Sequence, residues 1–334
     1  MHRIRRGLLA LVVCSGAATT VAAAQDSTAK DSTATELPAD LFVTSGIEMG
    51  QPQSGVVSLP NESCPLTSSQ LTAVRTGVGT GFVGVNAYLY HYFKKAWWSG
   101  VRASHFFFHA DWDQGFRDQD KFGHMLGGFH LARVGYAGLR AACVGKNKAI
   151  FWSAAYAAAF QLQIEIFDGQ FIKYGFSYAD MIANTTGQTL AVMQELHPGL
   201  KVIKPTVSYH KSRALANTEN GTISSELRPS LDYSGQTYWF STDVHELLPD
   251  GAKPYWPAFI RFSAGHSVTD WINPETGFPE RGKRKIILSL DFDPEKLPGN
   301  APWWKTVKHN LSYYHFPAPA LELTPKMHLS PWYR

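Results

Sequence analysis

Four stretches between Leu71 and Leu196 keep an apolar background interrupted by polar residues at helical spacing. The first, "LTAVRTGVGTGFVGVNAYLYHYFKKAWW" from Leu71 to Trp98, carries no Asp, Glu, Lys or Arg over the 18 residues Thr76 to Phe93. That is the lower edge of a membrane-spanning length. Gly77 and Gly81 form a small-xxx-small pair suited to close helix contact. Lys94, Lys95, Trp97 and Trp98 make a basic and aromatic collar of the kind found at a membrane interface. A buried helix of a soluble bundle fits the same pattern. The second stretch runs from Asp120 to Val144. The third, "AIFWSAAYAAAFQLQIEIF" from Ala149 to Phe167, is uncharged as far as Ile164, too short to span comfortably. The fourth is "SYADMIANTTGQTLAVMQEL". Ser177, three residues before Asp180, reads as its N-cap, and "HPG" at His197 to Gly199 stops it.

At about 100° per residue, each stretch carries one stripe that mixes polar groups with small residues. Asp120, His124, Gly127, Leu131 and Gly138 share one side of the second helix. Ala154, Ala158, Gln161 and Glu165 align on the third, with Asp168 at the edge. Asp180, Asn184, Gly187, Ala191 and Gln194 align on the fourth, and Arg75, Gly79, Phe82 and Asn86 on the first. Small residues mark where backbones approach. Polar groups on the same stripe must then face one another, because burying each alone costs several kcal/mol. The pattern predicts a shared polar core in which Asp120, His124, Glu165, Asp180 and Asn184 converge, with Lys121 at its rim.

After Lys201 the period changes. "RPSLDYSGQTYWFSTDV", "PAFIRFSAGHSV", "RKIILSLDFD" and "PAPALEL" alternate in part and are separated by Pro and Gly, which predicts four or five strands. "PWWKTVKHNLSYY" predicts an amphipathic helix with Trp303, Trp304 and Val307 near one side. So few strands fall short of an outer-membrane barrel, and a small sheet packed on the helices is expected. "GHS" at Gly265 to Ser267 lacks the frame of a hydrolase elbow. The fold class is α+β: a four-helix domain over residues 70–200, then a β-rich module over 201–334.

The N-terminus sets the compartment. Arg3, Arg5 and Arg6, the apolar "GLLALVV" and Ala22 to Ala24 read as a secretory signal over residues 1–24, with Gln25 as the mature terminus. Cys14 follows Val13, a poor residue for a lipid-attachment site. Residues 25–69, with a short DSTA repeat and much Ser, Thr, Pro and Gln, read as a flexible linker. Removing the signal takes three arginines from 31 basic residues and leaves 28 against 27 acidic, a net charge near +1. With no basic run, a nucleic-acid partner is not expected. Cys64 and Cys143 can oxidise in an exported chain. Sequence alone does not say whether they meet, and the simpler expectation is two unpaired cysteines, one in the linker and one buried, with a disulfide as the alternative.

"DKFGH" at Asp120 to His124, "EIFDG" at Glu165 to Gly169 and "GFSYADMIANTTG" at Gly175 to Gly187 together resemble the VanZ-like pattern. There, an Asp-Lys-x-x-His, a Glu and an Asp-x-x-x-Asn-x-x-Gly sit on successive membrane helices. The "DG" and "GFS" details resemble more closely a related family of predicted periplasmic lipoproteins of unknown function. Gly175 and Phe176 stand where VanZ-like proteins carry an Arg, and Asp168 where they carry Gln. The resemblance implies a VanZ-like four-helix domain, and neither family implies a settled activity.

The candidate site is therefore Asp120, Lys121, His124, Glu165, Asp168, Asp180 and Asn184. Three chemistries fit it. The residues can form a structural ion-pair core, with Asp120 also favoured by the helix N-terminus. His124 with Asp120, Glu165 or Asp180 offers the ligand types of zinc or a harder divalent ion. His124 and Glu165 could exchange protons near neutral pH, although no nucleophile accompanies them and Ser177 is better explained as a cap. No cofactor is implied, and the structural reading is favoured. The expected function is an exported, membrane-associated envelope protein that binds a lipid, a glycan intermediate or a protein partner. The competing class is an envelope hydrolase or transferase acting on a lipid or glycolipid through His124 and Glu165.

Overall fold

The computed structural model describes residues 64–333. The signal segment, Cys14, Gln25 and the linker as far as residue 63 lie outside the described residues.

The chain is α+β. Helix α1 spans Ser68–Ala96 and opens on a capping box between Thr67 and Gln70. A two-residue strand β1 (Phe108–His109) precedes α2 (Gln119–Ala141) and α3 (Lys146–Asp168). Strand β2 (Phe176–Ser177) pairs in parallel with β1 and leads into α4 (Tyr178–Leu196). Ser177 caps α4 by accepting a hydrogen bond from Asp180 N at 2.9 Å.

Helices α2 and α4 pack most closely, and glycine is the reason. A Cβ on Gly187 would fall 1.8 Å from the carbonyl oxygen of Met125, and one on Gly128 would fall 2.5 Å from that of Asn184. Any larger residue would drive the helices apart. Apolar packing follows the same seam: Phe129, Ala132, Ala157 and Ala191 form one buried cluster with Tyr313.

Helix α1 is attached differently. Its anchors are Phe82 against Gly138, Asn86 Nδ2 donating to the Tyr156 hydroxyl at 2.8 Å, and Arg75 Nε donating to Ala142 O at 3.3 Å. Its stripe therefore does not enter the polar core. A Cβ on Gly77 or Gly81 would meet nothing within 4 Å, so the small-residue pair makes no close helix contact among the described residues. No helix among the described residues is long and apolar enough to cross a membrane. Four glycines and several threonines and tyrosines dilute the uncharged run of α1. Trp98, expected in an interfacial collar, is buried and stacks on Phe167 at 4.5 Å. Cys64 and Cys143 are bonded, tying the chain before α1 to the end of α2.

The rest forms a six-stranded antiparallel sheet in sequential order: β3 (Ile203–Tyr209), β4 (Gln236–Thr242), β5 (Ile260–Val268), β6 (Arg284–Phe292), β7 (Ala318–Glu322) and β8 (His328–Tyr333). Short helices α5 (Arg213–Glu219) and α6 (Val244–Leu247) flank β4, and α7 (Pro302–Leu311) lies between β6 and β7. Six strands exceed the four or five expected. The two extra ones, β3 and β8, are the outer strands and carry Pro205 and Pro331. Proline cannot donate to a sheet ladder and is confined to such edges, so the residue that hid them also explains their place. Helix α7 inverts its expected packing. Trp303 is exposed, while Lys308 is buried with Nζ donating to Leu297 O at 2.6 Å and Gly299 O at 2.9 Å.

The N-terminal end of α2 docks on the sheet. Phe122 stacks on His266 at 4.4 Å, and Gln119 is bonded to Gln236 O at 2.8 Å and His266 Nδ1 at 2.7 Å. Asp113, Arg117 and Asp118 before it all have positive φ, a conformation disfavoured for side chains with a Cβ. Arg281 and Arg284 from the β5–β6 hairpin and strand β6 hold this bend through Asp113 and Asp118.

Candidate functional site

The site is assembled where α2 and α4 begin and α3 ends. The β1–β2 pairing aligns residues 108–109 with 176–177, which brings Asp111 next to the start of α4. Of the seven candidate residues, Asp120, Lys121 and His124 come from the first two turns of α2, Glu165 and Asp168 from the last turns of α3, and Asp180 and Asn184 from α4.

Lys121 is at the centre, not at the rim. Its side chain is buried, and Nζ donates to Asp111 Oδ2 and, at 2.9 Å, to Asp120 Oδ2, and lies 2.8 Å from Asp180 Oδ1. One residue past Asp120, it points off the Asp120–His124 stripe, and its four-carbon stem carries the ammonium back. His124 stands on the other side of Asp180. Nε2 is 3.7 Å from Asp180 Oδ1, and Nδ1 is 3.8 Å from Glu165 Oε1 and 3.1 Å from Asn184 Oδ1. Asp168 lies at the edge, where the Trp98 indole donates to Oδ1 at 2.6 Å.

Polar residues outside the candidate set complete the site. Asp111 Oδ1 accepts from the Ser177 hydroxyl at 2.6 Å, so Ser177 both caps α4 and holds an acid. Gln161 Nε2 donates to Asn184 Oδ1 and to His124 O at 3.1 Å, and Gln188 Nε2 donates to Gln161 Oε1 at 2.7 Å. Gln161 was visible on the third stripe. Asp111 had no signal, because it sits in an irregular segment without periodicity. His130, 120° around α2, packs instead against Phe129 and Tyr313.

The electrostatics show a surplus of acid. Asp111, Asp120, Glu165, Asp168 and Asp180 gather around one fixed cation, Lys121, and one imidazole. Burial pushes the Glu165 carboxyl up to about 8, with Asp180 adding to the effect and His124 opposing it. Burial likewise raises Asp120 to about 6 against the pull of Lys121, and Asp168 to about 6 against its Trp98 hydrogen bond. Burial disfavours the His124 cation, yet Asp180, Glu165 and Asp120 overcome that and raise it. Asp111 is buried too, and its hydrogen bonds from Lys121 and Ser177 hold it below the usual carboxylate range. Glu165 Oε2 accepts from Ser177 N at 3.2 Å, but among the described residues Oε1 has no hydrogen-bond donor, and Asn184 Nδ2 has no acceptor.

Two sets of side chains have the types and spacing to hold a metal: His124, Glu165 and Asp180, and Asp111, Asp120 and Asp180. In the second, the Lys121 ammonium already occupies the space between the acids.

Residues 108–196 match the model of a family described as "Predicted periplasmic lipoprotein (DUF2279)". The match covers β1, α2, α3, β2 and α4, the segment that builds the site. It identifies an exported, envelope-associated protein of unknown activity. No curated protein and no solved structure matches the chain.

Proposed function

We propose that this envelope protein binds a membrane lipid at the surface formed by β1, β2 and the start of α4. One observation carries the reading. Phe106, Phe108 and Tyr178 are exposed by 43%, 56% and 58% and touch one another directly or through Phe176, with Phe108 stacked on Tyr178 at 5.1 Å. Ile182, one turn along α4, extends the patch. Contiguous exposed aromatic surface marks an interaction site, and aromatic rings favour the headgroup level of a membrane. The ledge lies directly over the acidic site, because Ser177, between Phe176 and Tyr178, bonds Asp111 and Glu165 beneath it. On this reading, α1 to α4 form the VanZ-like helical unit expected over residues 70–200, and residues 201–334 form a separate β-rich module.

The competing reading is a hydrolase or transferase with His124 and Glu165 in acid–base roles. The free Glu165 Oε1 beside His124 favours it. The nearest hydroxyl does not: Ser177 is buried, donates to Asp111 and accepts from Asp180 N. It has no free hydrogen to give to a base.

Vesicle co-sedimentation tests the proposal. The purified protein should pellet with phospholipid vesicles, and Phe108→Ser with Tyr178→Ser should release it while leaving the thermal midpoint unchanged. Equal pelleting of the double variant would contradict the lipid reading.

A further inference from the structure

We propose that His124, Glu165 and Asp180 bind a divalent transition-metal ion, of the zinc or manganese type, beside the Lys121 ion pairs. This goes beyond the lipid reading and does not rest on it. One ligand atom from each of the three residues lies within 4.8 Å of the other two. Three ligands about 2.0–2.2 Å from a shared ion sit about 3.3–3.8 Å apart, so closing on an ion brings the widest pair together by about 1–1.5 Å. The donor set is one imidazole and two carboxylates, suited to zinc and to harder first-row ions.

Three further observations distinguish this set from an ordinary acidic cluster. The first is Glu165 Oε1. Its residue is 1% exposed, the atom has no donor, and it lies 3.8 Å from Nδ1 of the His124 ring. A buried carboxylate oxygen is seldom left without a partner. The second is the orientation of His124. Asn184 Oδ1 can only accept, so Nδ1 carries the hydrogen and donates to it at 3.1 Å. Nε2 is then the nitrogen that faces Asp180, at 3.7 Å, and it offers a lone pair to an ion that displaces its proton. Metal-binding histidines use this arrangement, with the second ring nitrogen donating to an oxygen that fixes the ring. Gln161 and Gln188 in turn hold Asn184. The third is charge. Lys121 already serves Asp111, Asp120 and Asp180, so the Glu165 side of Asp180 has no fixed cation. His124 is one-quarter exposed, which leaves an approach for an ion.

The test is equilibrium dialysis of the purified protein against zinc or manganese salts, followed by elemental analysis. One ion per chain should be retained. Glu165→Gln should bind it at least about tenfold more weakly, the scale seen when even an outer-shell partner of a metal site is lost. His91→Ala, on the exposed side of α1, should bind as the parent does. Pulsed electron paramagnetic resonance of the manganese-loaded parent keeps the test independent of any variant's folding. It should show coupling to one imidazole nitrogen, and His124→Gln should abolish it. No retained ion, retention unchanged by Glu165→Gln, or no nitrogen coupling would each overturn the proposal. Loss of vesicle binding with metal retention intact would overturn only the lipid reading.

Discussion

Two buried charge clusters in this molecule are built on opposite plans. On the sheet, Arg261 and Asp291 lie opposite each other on neighbouring strands, almost wholly buried, with Nη2 2.5 Å from Oδ2. Arg261 also donates to Ser312 O at 2.9 Å and Phe292 O at 3.1 Å. Asp291 accepts from Phe292 N, Phe316 N and the Ser241 hydroxyl. Both Asp291 oxygens are satisfied; Arg261 Nε has no partner among the described residues, and Asp293 Oδ1 lies 4.0 Å from Nη1. Beneath α2, α3 and α4, five carboxylates surround Lys121 and His124, and Glu165 Oε1 is left over. A pair whose carboxylate oxygens are both bonded across neighbouring strands holds a fold in register. A surplus of buried acid is costly and makes physical sense where something else supplies positive charge. On the proposed reading the difference separates a structural ion pair from a binding site, although both are buried and both look alike as residue types in the sequence.

The largest effects should come from removing the fixed cation on either side. Arg261→Ala and Lys121→Ala should each lower stability by about 3–5 kcal/mol, the usual result of stranding a buried partner, as measured by urea unfolding. A benign Lys121→Ala would mean that the acids under the helices need no internal counter-charge, and the comparison would fail there.

His124→Ala should cost less, about 1–3 kcal/mol, because the ring is partly exposed and its nearest carboxylate contacts are 3.7 and 3.8 Å long. Chemical denaturation of the metal-free protein reads this directly. A loss as large as that for Lys121→Ala would make His124 a structural counter-ion and weaken its assignment as a ligand.

Acid and base should act on the two regions in opposite directions. Glu165, Asp120 and Asp168 are raised in the fold. Their stabilising contribution is complete below the ordinary carboxylate range and is lost as pH rises, through about 6 for the aspartates and about 8 for Glu165. Glu295, in the module that follows, is held down to about 2. Burial opposes this, and the His309 hydrogen bond and the Lys204 charge prevail. Its contribution is present above the ordinary range and is lost as pH falls toward 2. Stability of the metal-free protein against pH should therefore fall on both flanks. Glu165→Gln should flatten the alkaline flank alone, and Glu295→Gln the acid flank alone. A variant that changes the other flank would contradict the assignment.

Much of this plan was legible in the sequence, for identifiable reasons. Uncharged backgrounds, the Ser177 cap and the "HPG" stop located the four long helices to within a few residues. Alternation revealed the inner strands, while Pro205 and Pro331 concealed the outer ones. The helical stripe pointed to Asp120, His124, Glu165, Asp180 and Asn184, because period alone places side chains on a face. It could not include Asp111, which a parallel pairing between segments nearly 70 residues apart delivers to the site. It also misplaced Lys121, whose position depends on the reach of a long side chain and not on the direction of its Cβ. The stripe on α1 led elsewhere, to contacts with Gly138 and Tyr156, because a periodic face says what can be buried and not against which neighbour.

The most direct test replaces one carboxyl by an amide in each cluster with nearly identical geometry. Glu165→Gln and Asp291→Asn should be compared by urea unfolding at neutral pH, in metal-free protein. Asp291→Asn places an amide donor against Arg261, Ser241 or two backbone N–H groups, and should destabilise by about 3 kcal/mol or more. Glu165→Gln replaces a carboxyl that burial keeps largely protonated at neutral pH, can still accept from Ser177 N, and should leave stability unchanged or raised by about 1 kcal/mol. Opposite responses would support a structural pair on the sheet and a binding site under the helices. A similar loss in both variants would contradict that division.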